Sequence, residues 1–152
     1  MYKCCDQHRM YIDIKKNSDN SYVESIVFNT EGIVGQIIDE SKFYEVLLLT
    51  DISHSLPIKL NSREFFCNAK GSGRSGYIIC TYNHLVWTEE IEENEIFYTS
   101  GLGGIYPKDI EVGYVSSIEN IDSTQTKIKI KLTQMLLLLE LLPLLVTLEK
   151  LP

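Results

Sequence analysis

Apolar and polar residues alternate with a period of two along most of this chain. The clearest case is Gln125–Leu132, where Thr126, Ile128, Ile130 and Leu132 alternate with Lys127, Lys129 and Lys131. One face of that segment is made for burial and the other is a solvated lysine row. The same reading predicts strands at Tyr11–Lys15, Tyr22–Phe28, Gly32–Ile38, Leu56–Leu60, Glu64–Lys70, Tyr77–Tyr82, Glu95–Thr99 and Glu111–Ile118. Phe43–Thr50 is almost continuously apolar, as in a strand buried on both faces or a barrel strand. Turn signals separate these runs, among them Thr30-Glu31-Gly32, Asp51-Ile52-Ser53, Gly71-Ser72-Gly73 and Pro107-Lys108-Asp109. Many short strands with regular turns predict an all-β sandwich or barrel. No 3.6-residue periodicity competes before residue 133.

Composition narrows the function classes. Of the 152 residues, 44% are apolar and 23% charged, which suits a packed globular chain. Lys and Arg number 14 against 21 Asp and Glu, a formal net charge of −7. That excludes a basic footprint for nucleic acid and argues against holding an anionic membrane by charge alone. The N-terminus has no apolar run of the signal-peptide kind. The greasy stretch Leu132–Leu148 is interrupted by Glu140 and Pro143, so it reads as a core segment rather than a membrane span.

Several patterns invite chemistry. Gly71–Gly76 spells G-x-G-x-x-G, but a β-branched and aromatic run follows it where a dinucleotide site needs a helix, so it reads as a hairpin loop. If Lys70 faces Tyr77 across that loop, Cys67 faces Cys80. Two buried thiols are the favoured reading of that pair, and a disulfide in an oxidising compartment is the alternative. Cys4-Cys5-Asp6-Gln7-His8 lacks the second ligand pair of a structural zinc site, so no metal and no cofactor is expected. Glu89–Glu95 lacks the glycine and spacing of a calcium loop and reads as a solvated connection pinned by Ile91 and Ile96. Ser100, His54, His84, Asp51 and Asp109 supply the residue types of a serine hydrolase, with Ser100 and His54 as the pair to test. Ser100 does not sit in a G-x-S-x-G elbow, however.

The block Thr99-Ser100-Gly101-Leu102-Gly103-Gly104-Ile105-Tyr106-Pro107, followed by Val112-Gly113-Tyr114-Val115, resembles the signature of the MreC rod shape-determining family. Gly32-Ile33-Val34-Gly35-Gln36, Val46–Asp51 with His54–Ile58, and His84-Leu85 match further family stretches in order. The resemblance runs from about Tyr11 to about Leu142. It implies an all-β fold of two small packed β-barrels, with rough boundaries: residues 1–43 plus 106–152 in the first and 44–105 in the second. It also implies a non-catalytic scaffold on the periplasmic face of the bacterial inner membrane. Such a scaffold links the cytoskeletal elongation machinery to peptidoglycan synthesis. Its partners would be a penicillin-binding protein, MreB- and MreD-type proteins and copies of itself. The family carries a membrane helix and a coiled coil ahead of this region, and the chain resembles the β region alone. The turn Ser100, Gly101, Leu102, Gly103, Gly104 and Pro107 is then structural, and loss of Gly103 is expected to unfold it. Where the family usually has glycine, this chain has Lys16, Asn20, Glu24, Asn94 and Asp109. Asn and Asp tolerate positive φ, whereas Lys16 and Glu24 fit less easily.

Overall fold

The alternation in Gln125–Leu132 is realised as one wall of a closed barrel. A computed structural model describes residues 7–13, 21–29, 31–133 and 147–149 of the protein. In chain order the strands are β1 (Arg9–Asp13), β2 (Ile26–Asn29), β3 (Gly32–Asp39), β4 (Phe43–Leu48), β5 (Ser55–Leu60) and β6 (Phe66–Gly71). They continue with β7 (Tyr77–Asn83), β8 (Ile96–Thr99), β9 (Glu111–Asn120), β10 (Gln125–Leu132) and β11 (Thr147–Glu149). No helix occurs among the described residues, so none there is long and apolar enough to cross a membrane. The barrel closes in the order β10-β7-β6-β5-β8-β9, and its strand pairs are antiparallel. The remaining strands form a five-stranded sheet in the order β1-β4-β3-β2-β11.

Inward-facing residues fill the barrel. Thr126, Ile128, Ile130 and Leu132 of β10 are buried, as are Leu56, Ile58 and Leu60 of β5 and Ile78 and Cys80 of β7. Phe65 plugs one end, meeting Tyr82, Trp87 and Phe97 edge-on at 5.0, 5.4 and 6.0 Å between ring centroids. Such ring pairs each add about 0.5–1.5 kcal/mol beyond the area they bury. The sheet contributes apolar residues to two clusters, but β4 itself buries one face: Tyr44 and Val46 are buried while Phe43 is exposed and Glu45 is half-buried, so the expectation of a strand buried on both faces does not hold there. Ile26, Ile33 and Leu49 join the barrel core. Val27, Val34, Ile37, Tyr44 and Val46 form a second cluster with Met10, Ile12, Tyr22 and Leu48.

The partition of strands differs from the expected boundaries. β9 and β10 close the barrel with the middle strands, where they had been expected beside the early ones. β4 remains with β1 and β3 in the sheet. The reason is register: Lys127–Lys131 face Thr81–Tyr77 on one side and β9 on the other, so β10 is the strand that joins both ends of the barrel. The crossing between the two units falls at Asp51–His54, after β4. The leucine-rich tail lies almost wholly outside the described residues, as do Cys4, Cys5, Asp6, Lys16 and Asn20.

β2 is shorter than the alternation predicts because the chain turns at Val23 and Glu24. The Ser25 amide bonds the Tyr22 carbonyl at 2.9 Å, and Glu24 holds φ at 71°. Asn94 and Asp109 adopt 69° and 66°, so the glycine-like backbone persists at three positions without glycine. A left-handed residue with a side chain costs roughly 1–2 kcal/mol. Glu24→Gly is therefore expected to stabilise the protein by about 1 kcal/mol, read as a higher midpoint in urea denaturation. An unchanged or lower midpoint would show that the Glu24 side chain compensates for the strain.

Candidate functional site

Two loops meet where the sheet joins the barrel. The first is Thr50–His54, between β4 and β5. The Asp51 carboxylate is fully buried and accepts the amides of His8 and Ser53, each at 2.8 Å, and the Arg9 guanidinium lies 3.6 Å away. The Asp51 carbonyl accepts the His54 amide at 2.9 Å, which closes the turn. The hairpin β6–β7 packs onto this turn: the Gly71 amide reaches the His54 carbonyl at 3.1 Å, and the Gly73 amide reaches the Thr50 carbonyl at 2.9 Å. His8 Nδ1 and Thr50 Oγ1 lie 2.6 Å apart, which ties the start of β1 to the same point.

The second loop is Ser100–Ile110, between β8 and β9. Gly101, Gly103 and Gly104 hold φ at 75°, 80° and 69°, a sequence of left-handed turns that residues with side chains resist. Buried Thr99 fastens the loop's base, with Oγ1 donating to the Pro107 carbonyl at 2.5 Å and accepting the Ile110 amide at 2.9 Å. Lys59 forms an ion pair with Asp109 on the outside. The loop thereby drives Tyr106 inward, where it is 3% exposed. Its hydroxyl hydrogen-bonds His54 Nε2, and the two rings meet at 65° with centroids 5.7 Å apart.

His54 is buried, and among the described residues its Nδ1 has no hydrogen-bond partner. Burial lowers its pKa to about 4; the Asp51 charge opposes that shift and Lys70 reinforces it. Burial likewise pushes the Tyr106 hydroxyl well above its ordinary range. Near neutrality the pair is an uncharged histidine hydrogen-bonded to a protonated phenol. That arrangement holds two loops together.

The structure does not bring the suspected hydrolase pair into contact. Ser100 Oγ accepts the Leu102 amide at 3.2 Å and its amide donates to the Pro57 carbonyl at 3.1 Å, while the imidazole that would have to act as its base is engaged by Tyr106. His84 lies elsewhere, against Thr126 Oγ1 at 2.9 Å and the Ser123 carbonyl at 2.8 Å. Gly71–Gly76 is a hairpin connection leading into β7. In the acidic run Ile91 is buried but Ile96 is 41% exposed, so Ile96 does not pin it. Arg63 does so instead, binding the Glu95 carboxylate and the Glu90 carbonyl. Among the described residues no three His, Cys, Asp or Glu side chains cluster as metal ligands.

Cys67 and Cys80 are bridged, with Cα atoms 6.2 Å apart. The observed register pairs Lys70 with Ile79 and Gly71 with Ile78, two residues away from the Lys70–Tyr77 pairing expected. Continued along the strands, it sets Cys80 against Ala69, so the bridge is diagonal. Tyr106 and Gly71 were not recognisable as members of a hub, because Tyr106 meets its partner across 52 residues and nothing local marks the contact.

The family model "Rod shape-determining protein MreC, barrel core" matches residues 6–145. Over 120 residues the chain is 31% identical to the cell shape-determining protein MreC of Haemophilus influenzae, an overlap of 78% of this chain and 34% of that protein. The chain spans about a third of the length of the curated relatives it matches. Among solved structures, MreC from Pseudomonas aeruginosa superposes with a TM-score of 0.71 at 25% identity, covering 88% of each chain. A complex between penicillin-binding protein PBP2 and MreC from Helicobacter pylori gives a TM-score of 0.61 at 17% identity, covering 86% of this chain and 90% of that one, a likeness of fold.

Proposed function

The chain belongs to the MreC rod shape-determining family, and on that premise we propose that it is a non-catalytic scaffold of bacterial cell-wall elongation. The observation that carries this reading is the use made of the glycine-rich turn Ser100–Pro107. Its glycines aim Tyr106 at His54 and lock the sheet to the barrel, leaving Ser100 tied to its own loop. The fold neighbour from Helicobacter pylori is an MreC held by PBP2, which supports a penicillin-binding protein as the partner class here. MreB- and MreD-type proteins and further copies of the chain complete the expected assembly. The Cys67–Cys80 bridge supports a place on the periplasmic side of the inner membrane, since disulfides persist in oxidising compartments.

The test is a calorimetric titration of the folded chain with the soluble part of an elongation-specific penicillin-binding protein. Saturable binding is expected. No heat from a well-folded sample with any wall-synthesis protein would count against the scaffold.

A further inference from the structure

Of the ten basic side chains among the described residues, three have acidic partners: Arg9 pairs with Glu45, Lys59 with Asp109 and Arg63 with Glu95. Of the seven without one, Lys42, Arg74 and Lys108 are scattered, whereas Lys70 and the row on β10 lie together. Among the described residues Lys127, Lys129 and Lys131 make no ion pair. Register places Lys131 between Tyr77 of β7 and Tyr114 of β9, and Lys129 between Ile79 and Ser117. The Lys129 ammonium stands 4.0 Å from the Tyr77 ring centroid. Lys127 lies between Thr81 and Glu119, and Lys131 shares a surface groove with Glu111, so the row has an acidic residue at each end. Lys70 of β6 faces Ile79 from the other side and adds a further cation. A chain of net charge −7 therefore concentrates unpaired positive charge on one outer face.

We propose that this face of β7, β10 and β9 is the docking surface for an extended acidic segment of a partner protein. Alternate residues of an antiparallel strand recur every ~6.8 Å, so the lysines match carboxylates at alternate positions of an extended peptide. The row is one lysine wide and bordered by Tyr77, Ile79 and Tyr114. A ligand must offer carbon beside its charge, which a phosphate polymer lacks, and a line of cations suits a segment better than a bilayer plane. The barrel is closed, so these strands have no free edge for strand addition, and side chains carry the recognition. The inference rests on the scaffold reading only in taking the occupant to be a protein.

The experiment uses the full chain and a fluorescent decapeptide of alternating Glu and Thr. Binding is expected, weakening as salt rises from about 0.05 M to about 0.3 M. The doubly reversed variant Lys129→Glu/Lys131→Glu is expected to lose affinity by roughly tenfold or more. Lys42→Glu/Arg74→Glu, which makes the same change in net charge, is expected to bind as the parent does. Thermal melts confirm that both variants fold. Absence of peptide binding, an equal loss in both variants, or tighter binding of phosphatidylglycerol vesicles or polyphosphate through the same lysines would each overturn the proposal. If the parent binds a penicillin-binding protein and Lys129→Glu/Lys131→Glu binds it equally, the face is wrong and the scaffold stands. If the parent binds the peptide through the lysines but no wall-synthesis protein, the face stands and the scaffold fails.

Discussion

Gly71→Ala is expected to destabilise the protein by at least about 3 kcal/mol, among the largest effects of any single methyl group here. A Cβ at that position would lie 1.7 Å from the Asp51 carbonyl oxygen and 2.4 Å from its carbon. Both are backbone atoms of the turn that carries His54, so no side chain can rotate away. Relief requires the β6–β7 hairpin to leave the Asp51–His54 turn, which breaks the Gly71-to-His54 and Gly73-to-Thr50 hydrogen bonds together. Gly103 provides the contrast. Its φ of 80° makes alanine strained, but nothing lies within 4 Å of the added carbon. Gly103→Ala is therefore expected to cost only about 1–2 kcal/mol, a smaller effect than the unfolding anticipated from the signature turn alone. Urea denaturation of the two variants side by side gives the ranking. Equal losses would mean that the signature turn, and not the packing at the junction, sets stability.

The second large effect is a loss of stability in mild acid. His54 is neutral in the fold, with its pKa lowered to about 4, and an unfolded histidine titrates near 6.5. Between those values the unfolded chain binds a proton that the native chain refuses. Stability is thus fully present above about pH 6.5 and is lost as pH falls towards 4, by up to about 3 kcal/mol in total. Lowered pKa values at Asp39, Asp109 and Asp122, from hydrogen bonds to Ser41, Lys59 and the Thr124 amide respectively, act at lower pH and do not confuse the window. In His54→Gln the dependence between pH 6.5 and 4 should flatten while the acid limb below pH 4 remains. A parent protein equally stable at pH 7 and pH 4.5 would show that His54 is protonated in the fold at no cost.

The strands of the barrel were legible because a closed barrel buries one face and wets the other. Gln125–Leu132 states that rule residue by residue. β4 was legible as a strand, but its apolar run overstated its burial, because Phe43 is exposed and Glu45 sits on the same face. The turn at Glu24 was marked only by the family's glycine at that position and not by the residue itself, which was expected to fit a positive φ less easily. Glutamate carries no turn signal, and its left-handed backbone is imposed by the bond from its amide to the Ile37 carbonyl at 2.8 Å. The hairpin register was read one loop position early, because Gly71 continues the ladder to Ile78 and the turn closes later, with Ser72 Oγ donating to the Tyr77 carbonyl at 2.6 Å. The two cysteines come together all the same, across the diagonal of that ladder.

The junction hub was visible only in pieces. Asp51, His54 and Ser100 drew attention as a possible reaction centre because sequence reports residue types and not their partners. Burial of Asp51 beneath the start of β1, and of His54 beneath Tyr106, depends on contacts spanning 43 and 52 residues. What separates a structural lock from a catalytic site is which atom the imidazole touches. Here it touches a phenol brought inward by the glycine turn.

Treatment of the folded chain with a fluorophosphonate, followed by intact-mass analysis, decides between these uses of the same residues most directly. Unmodified protein is expected, because Ser100 Oγ is held by the Leu102 amide and His54 by Tyr106. A single adduct on Ser100 that disappears in His54→Ala would contradict the architectural role and place a nucleophile at the junction of the sheet and the barrel.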